Sequence, residues 1–99
     1  MKTRLESFPA YVSLWVAHTQ IHNDIEALLD LHHRGAWGDA DLRDKVANEH
    51  NLVRGRGLVI SVFYTARNHR LRFTSDLDRQ HTLVRLDEPE QTGPKGGQP

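Results

Sequence analysis

Cysteine is absent from all 99 residues, which removes disulfide staples and thiolate metal sites together. That usage fits a reducing compartment. No long apolar run follows Met1-Lys2-Thr3-Arg4-Leu5-Glu6 to serve as a secretory signal or an anchor, so the cytoplasm is the expected location and no membrane is expected among the partners. Net charge is missing too, with 13 Lys and Arg against 13 Asp and Glu. A DNA mimic needs a strongly acidic balance, and typical nucleic-acid binders sit far above this chain's pI of about 7.1. Catalytic signatures are equally scarce. The chain contains no G-x-S-x-G, no G-x-x-x-x-G-K-[ST] and no H-E-x-x-H. Gly55-Arg56-Gly57 is too short for a dinucleotide loop, and Ser61 falls in the middle of an expected strand, so no nucleophile is set up. No internal repeat is visible.

What remains is a chain with 37% apolar and 26% charged residues, enough for one globular domain with a modest core. Its charges are segregated. From Asp24 to Glu49 there are seven acidic and three basic side chains; from Arg54 to Arg85 there are seven arginines and two aspartates. A dipolar surface of that kind orients encounters with a partner, although two halves that complement each other inside the fold would give the same count.

The stretch that organises the chain is Gly35-Ala36-Trp37-Gly38-Asp39 with the helix expected from Asp41 to Val53. Two glycines around an indole, followed by aspartates, read as the end of one helix, a tight corner, and the capped start of the next. Residues 1–10 read as a polar lead-in, and residues 11–17 fit either a short strand or an early helical turn, with the helix favoured. From Thr19 the spacing of Ile21, Ile25, Leu28, Leu29 and His32 predicts a helix with one buried stripe, ended by Gly35. Asp39 or Asp41 caps the second helix, Leu42, Val46, Glu49 or His50, and Val53 are expected on its inner face, and Gly55 stops it. The short connector predicts that the two helices lie against each other.

After Gly57 the period changes. Leu58 to Thr65 is a β-branched and aromatic run, Ala66-Arg67-Asn68-His69 a hairpin turn with Asn68 suited to positive φ, and Arg70-Leu71-Arg72-Phe73-Thr74 an alternating strand. A turn at Ser75 to Arg79 and a strand at His81 to Leu86 complete a meander. Residues 89–99, rich in Gly, Pro and Gln, are expected to be a disordered tail. The predicted fold is α+β: two helices packed on a three-stranded antiparallel β-meander in the order ααβββ, a single domain over residues 11–88.

His33, Gly35, Trp37-Gly38-Asp39, Asp41, Asp44, Asn48-Glu49, Leu52 and Gly55, with Ser61, Asp78-Arg79 and Thr82-Leu83-Val84 behind them, resemble a family of short uncharacterised proteins. Its members are encoded on plasmids and integrated mobile elements of proteobacteria. The resemblance spans roughly residues 24 to 88, and its most specific part is the Trp-Gly-Asp corner with the acidic Asn-Glu helix. It implies a genomic context and no activity. Arg70 and Arg72 around Leu71 depart from the family's more aromatic and aliphatic second strand.

Seven histidines are many for this length. His18 and His22 are one helical turn apart, but zinc needs three or four protein ligands, and the neighbours His32 and His33 point about 100° apart on a helix. Asp39, Asp41, Asp44 and Asn48 are spread over more than two turns without the loop a hard cation requires. No metal and no cofactor are therefore expected. Two contact surfaces are: the acidic helix at Asp41, Asp44 and Glu49, and an arginine face at Arg67, Arg70, Arg72 and Arg85. The reading that follows is a small non-enzymatic binding protein of mobile-element origin that recognises a protein, an inhibitor of a host defence system being its sharpest form. The alternative is an RNA-binding or RNA-cleaving, toxin-like protein using the arginines, with His69 or His81 moving protons; no aromatic stacking platform is visible for it. A third possibility is a homodimer formed through an open sheet edge.

Overall fold

A computed structural model describes residues 3–88; the tail expected over 89–99 lies outside them. The domain is α+β. The segment expected as a lead-in opens it: a short 3₁₀ turn at Arg4–Ser7, capped by Thr3, puts Leu5 in the core, and Phe8 is buried beside it. Strand β1 follows at Ala10–Val12, then helices α1 (Leu14–Thr19), α2 (His22–His33) and α3 (Leu42–Arg54), and strands β2 (Leu58–Tyr64), β3 (Arg70–Asp76) and β4 (His81–Leu86).

The sheet corrects the three-stranded antiparallel meander. It has four strands in the order β1-β4-β3-β2, and β1 runs parallel to β4, with Tyr11 opposite Leu83. A three-residue strand whose partner lies seventy residues away carries no local signature, which is why residues 11–17 read ambiguously. They hold both alternatives in succession: β1 ends at Val12, Ser13 caps α1 by accepting from the Val16 amide, and α1 stops at Gln20. The helices also number three among the described residues rather than two, because the chain breaks between Thr19 and His22. Ile21, expected in the buried stripe, is consequently an exposed N-cap, whereas Ile25 and His32 are buried as predicted.

Alternation sorts the strands into two faces. Val59, Ser61, Leu71, Phe73, Ser75, Thr82 and Val84 point inward and are fully buried. Two apolar clusters form on this face and around the β2 edge, where Val62 is buried although it alternates to the other side. Leu5, Phe8, Trp37, Ala40, Val59, Val62 and Leu77 make one; Val16 and Ile25 from α1 and α2 join Leu71, Phe73 and Val84 in the other. Trp37 lies in the first cluster at 8% exposure, its ring edge-on to His32.

The second expected lid helix does something different. Instead of lying over the sheet's face, α3 runs along the free edge of β2. The Asn48 amide donates to the Ile60 carbonyl at 2.7 Å and accepts from the Ile60 N–H at 2.8 Å, and Asn51 donates to the Leu58 carbonyl at 2.7 Å. The Trp37–Asp39 corner continues this edging, with Val62 N–H donating to Trp37 O and Asp39 N–H to Val62 O. The approach is so close that a Cβ on Gly38, which has φ +61°, would sit 2.1 Å from the Val62 carbonyl oxygen. Only glycine fits there. Asp41 caps α3, accepting from the Asp44 amide at 2.9 Å, and Gly55 ends the helix in the left-handed region at φ 74°.

Candidate functional site

The predicted inner face of α3 is its outer face. Leu42, Val46 and Val53 are 76%, 53% and 89% exposed, while Asn48 is buried and Asn51 and Leu52 are half-buried. The reason is the bare edge of β2. A buried backbone N–H or C=O without a partner is more unfavourable than a solvated aliphatic side chain, so the helix turns its asparagines inward and its apolar stripe outward. The stripe at 42, 46, 49 and 53 keeps the spacing of a helix–helix seam, interrupted by Glu49.

The three acidic site residues share this helix and differ in employment. Asp41 caps the first turn, Asp44 sits in that turn at the positive end of the helix dipole, and Glu49 accepts the Trp37 indole N–H at 2.8 Å. Glu49 therefore couples the corner to the helix from the surface side, and its outer oxygen remains at the solvent-exposed stripe.

The arginines are assembled by strand register. Arg72 lies opposite Arg85, and Arg70, two residues before Arg72, shares their outward face, opposite the one α1 and α2 cover. Arg67 stands apart in the β2–β3 turn, where its guanidinium donates to the Thr19 carbonyl at 3.4 Å. Asp87, immediately after β4, is 3.2 Å from Arg70 Nε and 3.1 Å from Arg72 Nε, and Glu88 accepts from the Arg70 amide at 3.0 Å and lies 3.7 Å from His69. These two acids were missed. The charge count that defined the basic half stopped at Arg85, two residues short of them. Arg85, like Arg67, is exposed, and Tyr11, Tyr64 and Leu83 are exposed on the same sheet face as Arg85. Two exposed tyrosines thus flank this face from opposite edges of the sheet, Tyr11 on β1 and Tyr64 on β2, with β4 and β3 between them.

The histidines do not converge. His69 precedes β3 and His81 opens β4 opposite Asp76, so they stand at opposite ends of a seven-residue strand, roughly 20 Å apart at ordinary strand rise. One phosphodiester cannot lie between them. His22 pairs with Glu26 at 3.1 Å on an exposed turn. Among the described residues no group of three or more His, Asp or Glu is placed to hold a metal ion, and no helix is long and apolar enough to cross a membrane.

The most organised polar group is internal. His32, fully buried, touches Ser61 through Nδ1 and Ser75 through Nε2 at 2.8 Å; Ser75 touches Thr82 at 2.6 Å, and Ser61 donates to the Ala36 carbonyl at 3.0 Å. Each hydroxyl has one proton, so that last bond fixes the rest. Ser61 must accept from Nδ1–H, Nε2 must accept from Ser75, and Ser75 must accept from Thr82. Burial, reinforced by neighbouring His33, lowers the His32 pKa to about 3. The ring is neutral and its tautomer determined. With both nitrogens engaged and the ring shut off from solvent, the network holds α2 on the sheet and offers no reacting group to a substrate.

Set against known proteins, the chain matches no family model, no curated protein and no solved structure.

Proposed function

We propose that the chain is a small non-enzymatic binding protein that acts by protein–protein recognition, with the inhibition of a host defence system encoded on a mobile element as the form the family resemblance favours. The observation that carries the reading is the outward stripe of α3. Three large aliphatic side chains stand in solvent on a helix whose inner face is satisfied by other means, and Asp41, Asp44, Arg43 and Arg54 frame them with charge. An apolar strip with a charged rim is the composition of a protein-recognition surface.

A tagged chain passed through a host lysate, with and without nuclease, tests this directly. Wild type should retain a protein after nuclease treatment, and Val53→Glu should lose it with its fold intact. Retention unaffected by Val53→Glu, and equally by charge reversal at Asp44 and Arg85, would overturn the reading.

One observation favours a second reading, RNA binding: Tyr11, Tyr64 and Arg85 share an open sheet face. It predicts that capture disappears with nuclease and with Tyr64→Ala.

A further inference from the structure

The geometry points to a second copy of this chain as the occupant of the α3 stripe, packed helix against helix in antiparallel orientation. This inference rests on reading the stripe as a recognition surface and names its partner.

Pairing at a sheet edge, the expected route to a dimer, is left only the outer edge of β1, an exposed strand of three residues that offers few backbone bonds to a partner. β4 is bordered by β1, and β2 by Asn48, Asn51 and the Trp37–Asp39 corner. The apolar surface left over on the edge-covering helix is self-complementary in two respects. The first is shape. Glu49, His50 and Val53 line a shallow, mainly apolar hollow towards one end of α3, and Leu42 projects at the other end. A two-fold axis through the helix midpoint, between Ala47 and Asn48, sets Leu42 of each copy opposite Val53 of the other and so into that hollow, with Val46 opposite Glu49. Knob and hole come from the same stripe.

The second is charge. Asp39, Asp41 and Asp44 outweigh Arg43 and Lys45 at the N-terminal end of α3, and Arg54 and Arg56 lie at the C-terminal end. An antiparallel pair brings Asp41 to the level of Arg54 and sets the two helix dipoles head to tail, whereas a parallel pair stacks like charges and like dipole ends. The arrangement also explains Glu49. Its carboxylate is held in one orientation by the Trp37 indole, so the charge it brings to the seam is fixed in place and keeps one hydrogen bond when the seam closes.

The absence of cysteine makes the test clean. Leu42→Cys and Val53→Cys single variants are prepared as full-length chains, and sedimentation first establishes the state of the wild type. In an antiparallel pair a residue and its own copy lie roughly 16 Å apart along the seam, beyond disulfide reach. Expected, then, is a disulfide-linked heterodimer when the two variants are mixed under mild oxidant, and little linkage of either alone. Val46→Glu and Val53→Glu, both at exposed positions, should weaken self-association by roughly tenfold or more while leaving the circular dichroism unchanged. A monomeric wild type at every accessible concentration overturns the inference; so does a dimer indifferent to both glutamates, or one in which each cysteine variant links to itself. If the wild type is monomeric but still retains a lysate protein that Val53→Glu loses, the broader recognition reading stands and only the second copy is excluded.

Discussion

Two polar networks in this domain, one under α2 and one at the far end of the sheet, use hydrogen bonds to opposite ends. In the first, His32, Ser61, Ser75 and Thr82 are all fully buried, neutral and directionally fixed by the Ala36 carbonyl. In the second, Arg70, Arg72, Asp87, Glu88 and His69 are half-exposed, and Asp87 serves two guanidinium groups at once. A closed network tolerates no missing member, since a deserted hydroxyl in the interior has no water to turn to. An open network of charges can lose one member and re-form with solvent. The buried seam should therefore govern stability, and the surface cluster should govern what the sheet face attracts.

The largest effect tests that division at its centre. His32→Leu keeps a large apolar side chain between Trp37 and Phe73 but leaves Ser61 and Ser75 without their ring partners. Urea unfolding should show a loss of about 3–5 kcal/mol, more than any single change in the Asp87 cluster. A loss no greater than that of Arg72→Gln would erase the distinction between the two networks.

Acid should find the same seam. Above the unfolded-state value of 6.5, His32 is neutral in both states and its full contribution to stability is present. Between 6.5 and about 3, the unfolded chain binds a proton that the folded chain refuses, so stability falls as the pH falls, and below about 3 this loss levels off. The slope is about 1.4 kcal/mol per pH unit, or roughly 2 kcal/mol near pH 5. Denaturation curves across that window should flatten in His32→Leu, which has no proton to refuse. An unchanged slope would assign the acid sensitivity to the surface carboxylates instead.

The two networks were also unequally legible. His32 was placed on the buried stripe of its helix by spacing alone, yet its partners come from β2, β3 and β4, and nothing local joins a histidine to Ser61, Ser75 and Thr82. Strands β2 and β4, β3 as far as Thr74, the Asn68 turn at φ 65°, the Asp41 cap and the Gly55 stop all follow from near neighbours and were readable, whereas Ser75 and Asp76, expected in a turn, continue β3. Strand β1 and the orientation of α3 were not, because both are decided by unsatisfied backbone at a sheet edge. Periodicity counts apolar side chains; it is blind to the N–H and C=O of Ile60 waiting for Asn48. The candidate surfaces fared likewise: the sequence supplied the arginines but stopped before Asp87, and supplied Leu42, Val46 and Val53 but assigned them to the core.

Asn48 marks the intermediate case, a buried side chain serving an edge. Asn48→Ala removes both bonds to Ile60 at a position that is itself fully buried, so thermal or urea unfolding should show a loss of about 2–3 kcal/mol. Asn48→Asp keeps the acceptor for the Ile60 N–H but sets a carboxylate oxygen against the Ile60 carbonyl and buries a charge, and at neutral pH should destabilise at least as much as alanine. If alanine has no effect, the edge is held by the Trp37–Asp39 corner alone.

The smallest effect on stability carries the most information about the sheet face. Asp87→Asn removes the charge shared by Arg70 and Arg72, and because both arginine side chains are partly exposed the loss should stay within about 1 kcal/mol and shrink as salt is added. Its electrostatic consequence is larger than its energetic one. With Asp87 neutral, the charge on Arg70 and Arg72 is less compensated and adds to that of Arg85 on the face that carries Tyr64. If that face binds RNA, filter binding should show tighter and more salt-dependent association in Asp87→Asn than in wild type, since more counterions would be displaced. If the face is silent towards RNA in both, the arginines serve to hold the ends of β3 and β4 together through Asp87, and recognition belongs to α3.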